Sequence, residues 1–362
     1  MKVGLFETNL SFPTGLSMAG YVQRNGISTG YHDPLKVFCI YLCEDEKEVA
    51  ILVFDLLTIP ENFPRKIENT ELIPVATHTH SGPKPDLVRD ILESYAEKAL
   101  LGAKQSASDL IKVTVRRFAV SDVCDFRDKP ESSAIPARLI EFETVERLFS
   151  ILLFPCHPTV LGPENLLYSS DLIGSIREKL RTTLNHPVVF LNSCCGNIST
   201  HRTRRDRSFS EVERLSDLFL DQFSPVTVCQ ILKPEGLLIV EREFEVRFVQ
   251  KNINELMLDE RDLPGALLLK KRINSPKNSR VRISFLKMNP LKFVFVPFEL
   301  FFEFSRLIPL DAPVFIACYA NSPASYVVPK SVKSGYEWLA SPYSDDTEMN
   351  LLALVSDELK KL

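Results

Sequence analysis

The plainest chemistry in the sequence belongs to two histidines separated by one residue, His78 and His80, within Ala76-Thr77-His78-Thr79-His80-Ser81-Gly82-Pro83. They follow an apolar, strand-like run from Leu72 to Ala76. Residues i and i+2 of an extended backbone share one face, so both imidazoles are expected to leave a strand end toward one place. Gly82 and Pro83 then turn the chain, which puts the pair at a sheet rim. Neutral imidazole is the commonest metal ligand and the usual proton shuttle, so one ring can bind a metal while its neighbour serves the chemistry. A pair of this kind also arises by chance and needs partners from elsewhere in the chain.

Partners are available. His157 stands in Pro155-Cys156-His157-Pro158-Thr159, where the apolar run Leu148 to Phe154 gives way to a loop, although a histidine between prolines can simply cap a turn. Leu191 to Ser199 runs from a strand into small residues and Gly196, which lets backbone amides approach a ligand and leaves Ser199 as a nucleophile or a substrate-holding hydroxyl. It is not a GxSxG elbow. His201 to Arg207 holds four arginines, readable as a solvated basic loop or as a seat for an anion. Glu299, embedded in Val294 to Phe302, must either turn to solvent or meet a cation, and Glu303 competes for that role. Tyr326 and Tyr336 stand in loop-like surroundings, and nothing local favours His32, His186 or His201 as ligands.

The elements that must position these groups are legible from periodicity. Strands are expected at Lys36 to Leu42, Val49 to Leu56, Leu72 to Ala76, Ile111 to Val120, Leu148 to Phe154, Pro187 to Leu191, Leu237 to Phe248, Val281 to Leu286, Lys292 to Val296 and Pro313 to Cys318. Three helices are expected. The first, Pro85 to Gln105, has Leu87, Val88, Ile91, Leu92, Tyr95, Ala96, Ala99 and Leu100 on one stripe. The second, Ser170 to Thr182, opens on Ser/Asp capping chemistry and buries Leu172, Ile173, Ile176 and Leu180. The third, Glu211 to Phe223, has Ser210 and Glu213 in capping-box spacing and turns Val212, Leu215, Phe219 and Phe223 inward. Helices alternate with strands in the first 225 residues and strands dominate afterwards. This predicts an α/β chain of mixed α+β character, one catalytic domain over residues 1–362, with mixed β-sheets flanked by helices.

Composition narrows the function. With 45% hydrophobic and 25% charged residues the chain can bury a large core, and a net charge of −4 lacks the positive field of a nucleic-acid binder. The densest apolar runs, Leu148 to Pro155 and Phe293 to Phe302, are too short to span a bilayer, and the N-terminus does not read as a secretory signal. Eight scattered cysteines without a CxxC pair are expected to be reduced core residues in a cytoplasmic protein. There is no Gly-rich phosphate loop and no signal of oligomeric state.

Taken in order, THTHSGP (Thr77 to Pro83), CHPT (Cys156 to Thr159), SSD (Ser169 to Asp171), GNIS (Gly196 to Ser199), PFE (Pro297 to Glu299) and NSPASYV (Asn321 to Val327) resemble the neutral, non-lysosomal ceramidases and their shorter prokaryotic relatives. MAGY (Met18 to Tyr21) and HDPL (His32 to Leu35) add to the resemblance, which covers most of the chain. It implies one catalytic Zn2+ held by His78, His157, Glu299 and Tyr326, with His80 as acid/base beside it. It further implies active-site roles for Arg127 and Tyr336, and for Ser199 as nucleophile or substrate contact. Two departures stand out: Asn197 replaces the aspartate of the family's GDVS motif, and Pro323 replaces a tyrosine. The chain also has no room for the family's C-terminal immunoglobulin-like domain, and ceramide itself is not the expected substrate. The activity expected is zinc-dependent hydrolysis of the amide bond of a linear N-acyl substrate, ceramide-like or a smaller N-acyl amide, by metal-activated water. Two alternatives stay open: a metal- or ligand-binding member altered in catalysis, and an acyl hydrolase that depends on Ser199.

Overall fold

The computed structural model describes residues 1–127, 133–223, 227–249, 278–308 and 312–362. A ten-stranded mixed sheet forms its centre. Its strands are β1 (Lys2–Asn9), β2 (Lys36–Glu44), β3 (Lys47–Phe54), β4 (Thr70–Ala76), β5 (Ser108–Val120), β6 (Ile135–Thr144), β7 (Leu148–Phe154), β8 (Val188–Asn192) and β9 (Thr227–Leu232), with the short Lys66–Ile67 at one edge. The order across the sheet is β8-β7-β6-β5-β1-β2-β3-β4, and β9 pairs on β5. Only β7 with β8 and β3 with β4 run parallel. A second, four-stranded sheet takes β10 (Glu235–Arg247), β11 (Asn278–Asn289), β12 (Leu291–Phe295) and β13 (Val314–Ala317) in chain order. The helices are α1 (Arg89–Gln105), α2 (Asp171–Leu184), α3 (Phe209–Phe223), α4 (Tyr336–Ala340) and α5 (Thr347–Lys361).

The continuous apolar runs are explained by burial on both faces. Along β2, Phe38, Ile40 and Leu42 point into a core shared with Leu286, Phe293, Phe295 and Phe315 of the second sheet. Val37, Cys39 and Tyr41 alternate to the opposite face, against Leu92, Ala96, Ala99 and Leu100 of α1. A third core lies between α2, α3 and the far strands, where Ile173, Ile176, Leu215 and Phe219 meet Leu152 and Phe190. The mixed α+β reading therefore holds. No helix among the described residues is long and apolar enough to cross a membrane.

The ten expected strands are all present, shifted by at most a few residues at their ends. Three further strands, β1, β6 and β9, were not expected; polar residues interrupt the apolar pattern in each. The helix starts differ in chemistry. Leu87, placed on the buried stripe, belongs to a short 3-10 turn ahead of α1 and is exposed. At α2 the Ser170 side chain caps nothing: its Oγ donates to Asp33 Oδ1, and Asp171 Oδ1 accepts from Leu172 N at 2.7 Å. At α3 the cap moves two residues back, where Ser208 Oγ accepts from Glu211 N at 3.2 Å. Glu213, once paired with Ser210, instead reaches Ser175 and Lys179 of α2.

Candidate metal centre

The histidine pair does converge, by a different route from strand alternation. Strand β4 ends at Ala76, and His78 sits in the left-handed region at φ 71°. The segment keeps its place because Thr77 N and His78 N continue the parallel pairing, donating to Phe54 O and Leu56 O at 2.9 Å each. Thr77 Oγ1 donates to Asp55, whose carboxylate is clamped by two 2.9 Å bonds from Arg177 of α2. That buried pair ties the start of the histidine segment to a helix on the far side of the sheet rim. His80 is seated against Gly20, whose φ is 104° and where a Cβ would lie 2.6 Å from the His80 ring. Only glycine allows this approach.

His157 lies just after β7, its backbone bridged to Ser199 and its N–H donating to Ile198 O at 3.0 Å. Glu299 and Tyr326 are register partners in a two-stranded parallel ribbon, Glu299–Leu300 with Tyr326–Val327, so their side chains leave adjacent backbones together. Tyr326 is thus a strand residue and Tyr336 opens α4, where loops were expected. Gly196 N donates to Leu300 O at 2.7 Å and fixes this ribbon to the GNIS turn; a Cβ at Gly196 would fall 2.9 Å from the Leu300 backbone.

The result is a cluster in which one ligand atom from each of His78, His157 and Glu299 lies within 4.8 Å of the others. Glu299 Oε2 is 3.4 Å from His78 Nε2 and 2.9 Å from His157 Nε2, and Tyr326 Oη is 3.2 Å from the latter. The donor set fits a cation. Each histidine holds its Nδ1 2.8 Å from a backbone carbonyl, Leu57 O and Cys195 O, and a carbonyl can only accept. Nδ1 therefore carries the proton and Nε2 presents a lone pair. Two lone pairs then face one carboxylate oxygen, an arrangement that a divalent ion satisfies. Burial, reinforced by Arg127, pushes His157 down to about 4, so the ring is neutral at neutral pH and its contact with Glu299 is not a simple ion pair. His78, His157 and Glu299 could hold a metal ion.

His80 stands next to this set, its Nε2 3.3 Å from His78 Nε2. Burial and the neighbouring imidazoles lower its basicity, and its Nδ1 is buried with no hydrogen-bond partner among the described residues. On the other side Arg127 Nε donates to Ser199 Oγ at 2.9 Å, and Nη1 pairs with Glu337. Burial works against that guanidinium charge, yet Glu337 and the tyrosines Tyr326 and Tyr336 keep it firmly protonated. Ser199 Oγ also accepts from His201 N at 3.2 Å, and among the described residues no base contacts it. The rings of Tyr326 and Tyr336 meet edge to face at 5.9 Å. All eight residues singled out by the sequence thus lie in one connected site.

Three contributors were not foreseen. Tyr319 stacks on His78 with ring centroids 3.8 Å apart, and its hydroxyl contacts Cys195 Sγ at 3.0 Å. Cys195 thereby touches both histidines, one through its carbonyl and one through Tyr319. Glu337, next to Tyr336 in the sequence, had no evident partner until Arg127 met it. The basic loop is largely tied down: Arg204 donates to Thr159 O, Arg202 to Phe126 O, and Arg207 faces Glu164 at 3.4 Å. Around Glu299, Phe298, Phe301 and Phe304 are buried in the core.

No protein-family model matches the sequence, and no curated protein gives a significant match. Solved structures do. The crystal structure of neutral ceramidase from Pseudomonas aeruginosa superposes with a TM-score of 0.74 at 15% identity, over 98% of this chain and 73% of that one. A ceramidase complexed with C2 gives 0.73 at 15% identity, over 98% and 74%. At that identity the likeness concerns the path of the backbone, and on that ground the chain has the neutral ceramidase fold.

Proposed function

We propose that the chain, taken over residues 1–362 as one catalytic domain, is a cytoplasmic zinc-dependent hydrolase that cleaves the amide bond of a linear N-acyl compound. The observation that carries this reading is the buried meeting of His78 Nε2, His157 Nε2 and Glu299 Oε2 within 4.8 Å. His78, His157, Glu299 and Tyr326 would hold the ion; the phenol, kept protonated by burial, would be the weakest of the four. Zinc, when bound, supplies Lewis acidity that acidifies water toward neutral pH and polarises a carbonyl.

The protein side chains do the rest. His80, whose Nδ1 has no partner among the described residues and whose burial keeps it unprotonated, takes a proton from the attacking water and returns it to the departing amine. Arg127, fixed by Glu337, keeps a positive charge beside the site for the oxyanion that develops at the substrate carbonyl. Tyr336, packed on Tyr326, lines the same side. Ser199 contacts substrate rather than attacking it, because its Oγ already accepts from Arg127 Nε and His201 N and no base contacts it among the described residues. Asn197, one of the two departures on which the non-catalytic alternative rests, has a positional role: its Oδ1 accepts from Phe302 N at 2.9 Å and its Nδ2 donates to Glu303 at 3.1 Å.

The test is hydrolysis of N-acyl amides of graded chain length by zinc-loaded and chelator-treated protein, with metal content measured in parallel. Turnover that needs the metal, and bound zinc well below one per chain in His78→Ala and Glu299→Ala, is expected. Unchanged stoichiometry in both variants would show that the ion sits elsewhere. Labelling by a fluorophosphonate probe in the presence of chelator would favour the serine hydrolase instead.

A further inference from the structure

Beside the candidate centre one cation is only half used. Arg24 Nη1 donates to Ala19 O at 2.6 Å, and its Cζ lies 5.0 Å over the ring of Tyr21. The Tyr21 ring in turn stands 4.9 Å from the ring of His80, and its hydroxyl is anchored on Leu161 O. Tyr21 thus lies against both Arg24 and His80. Yet Arg24 Nε and Nη2 are buried and have no hydrogen-bond partner among the described residues. These two nitrogens form the side-on edge of the guanidinium, the edge that offers two parallel N–H bonds to a pair of oxygens on carboxylate or phosphate. Burying charged donors without acceptors is costly, so an edge left open in this way points to a group that arrives from outside.

The acids nearby are already engaged. Asp171 accepts from Val160 N and Leu161 N at 3.3 and 3.2 Å, and Glu164 faces Arg207 at 3.4 Å. Arg204 and Arg207 add to the positive field around Tyr21. Three arginines, Arg24, Arg204 and Arg207, thus surround Tyr21 with positive charge, and Arg24 keeps a bidentate edge with no acceptor among the described residues.

We infer that Arg24 receives an oxyanion carried by the substrate: the amide cleaved beside it belongs to an N-acyl compound bearing a carboxylate or a phosphate, not to an uncharged sphingolipid amide. The anion site stands on Arg24 alone; its place in a substrate rests on the amide-hydrolase reading. An N-acyl amino acid or an N-acyl aminoalkyl phosphate would satisfy it, since either holds the anion a few bonds from the amide.

Binding to the chelator-treated full chain tests this without turnover. N-dodecanoylglycine, its uncharged glycinamide analogue and N-dodecanoylethanolamine phosphate are titrated calorimetrically into wild type, Arg24→Lys and Arg24→Gln, with melting curves to verify folding. A charge-assisted bidentate contact predicts that at least one anion binds wild type about 10- to 100-fold more tightly than the uncharged analogue. The tighter of the two identifies the oxyanion. Arg24→Gln should abolish the preference and Arg24→Lys should keep only part of it, because lysine lacks the planar edge. Equal affinity of all three ligands for wild type, or a preference that survives Arg24→Gln, overturns the inference. An Arg24-dependent anion preference with no hydrolysis of any amide by zinc-loaded protein would sink the hydrolase reading and leave the anion site standing.

Discussion

Asn197→Asp restores the residue expected from the resemblance, and it should damage this protein. Asn197 is fully buried and donates from Nδ2 to Glu303 Oε2 at 3.1 Å, so an aspartate would set one carboxylate against another at that distance. Two unit charges 3.1 Å apart repel by about 5 kcal/mol at an effective dielectric of about 20. Glu303 is only half-buried, and solvent screening there should bring the net loss to about 2–3 kcal/mol. The pair would relieve itself by keeping a shared proton, raising one carboxyl by about 2 units above its unfolded value near 4. A raised acid makes the folded state hold more protons than the unfolded chain, so the loss is small near pH 4, grows as pH rises, and levels off once the proton has gone. Urea unfolding of chelator-treated protein should show the full deficit at pH 8 and roughly half of it at pH 5. Adding Glu303→Gln, whose amide can donate to the new aspartate, should recover most of the loss in a double-mutant cycle. The variant should also bind zinc more weakly, since Asn197 holds the Phe302–Glu303 segment that follows Glu299. Wild-type stability of Asn197→Asp at pH 8, or no recovery in the double variant, would refute the assignment.

Three further outcomes are expected. His80→Ala should keep its zinc and lose about 10²- to 10⁴-fold in kcat, the usual worth of a positioned acid/base; loss of the metal instead would make His80 a ligand. Gly20→Ala should lower kcat by at least about 10-fold with metal retained, because its Cβ would fall 2.6 Å from the His80 ring; full activity would show that His80 does not need this seat. In chelator-treated protein, His157, pushed down to about 4, binds fewer protons folded than unfolded, so its share of stability is lost as pH falls from about 6.5 toward 4. Asp171, pushed up to about 7 by burial, acts in the opposite sense, so the measurement is the difference in melting temperature between wild type and His157→Asn from pH 7 to pH 4.5. That difference should shrink on acidification, and a constant gap would contradict the burial of a neutral ring.

What was legible in the sequence follows from how each feature is encoded. The strands β2, β3, β4, β7 and β8 are buried on both faces and so appear as unbroken apolar runs, which hydrophobicity alone reveals. Strand β6, Ile135–Thr144, mixes Pro136, Arg138 and two glutamates into the same role, because β5 and β7 supply its pairing and Arg116 meets Glu141 across the ladder. Helix α5 follows a loop with no capping side chain and buries only Thr347, Leu351, Val355 and Glu358, too sparse a stripe to stand out. The caps of α2 and α3 were misplaced by one or two residues because several Ser and Asp neighbours offer equivalent chemistry, and long-range partners such as Asp33 choose among them.

The site was legible for another reason. Metal ligands and acid/base groups are drawn from a short list of residue types, and His78, His157 and Glu299 occur where apolar runs end, so their chemistry shows even when their geometry does not. What could not be read is the set of contacts that brings them together. The left-handed backbone at His78, the Leu57 and Cys195 carbonyls that fix both tautomers, and the Tyr319 ring stacked on His78 come from ordinary residues with no chemical signature. Arg24 lies between these cases: an arginine in a turn reads as surface until the fold buries two of its nitrogens, over the Tyr21 ring that meets His80, with no acceptor among the described residues. Substrate choice in a metal hydrolase is set by such open edges around a shared centre. Two chains of one fold can therefore differ in what they bind, and at Arg24 this chain carries a charge that an uncharged amide has no group to meet.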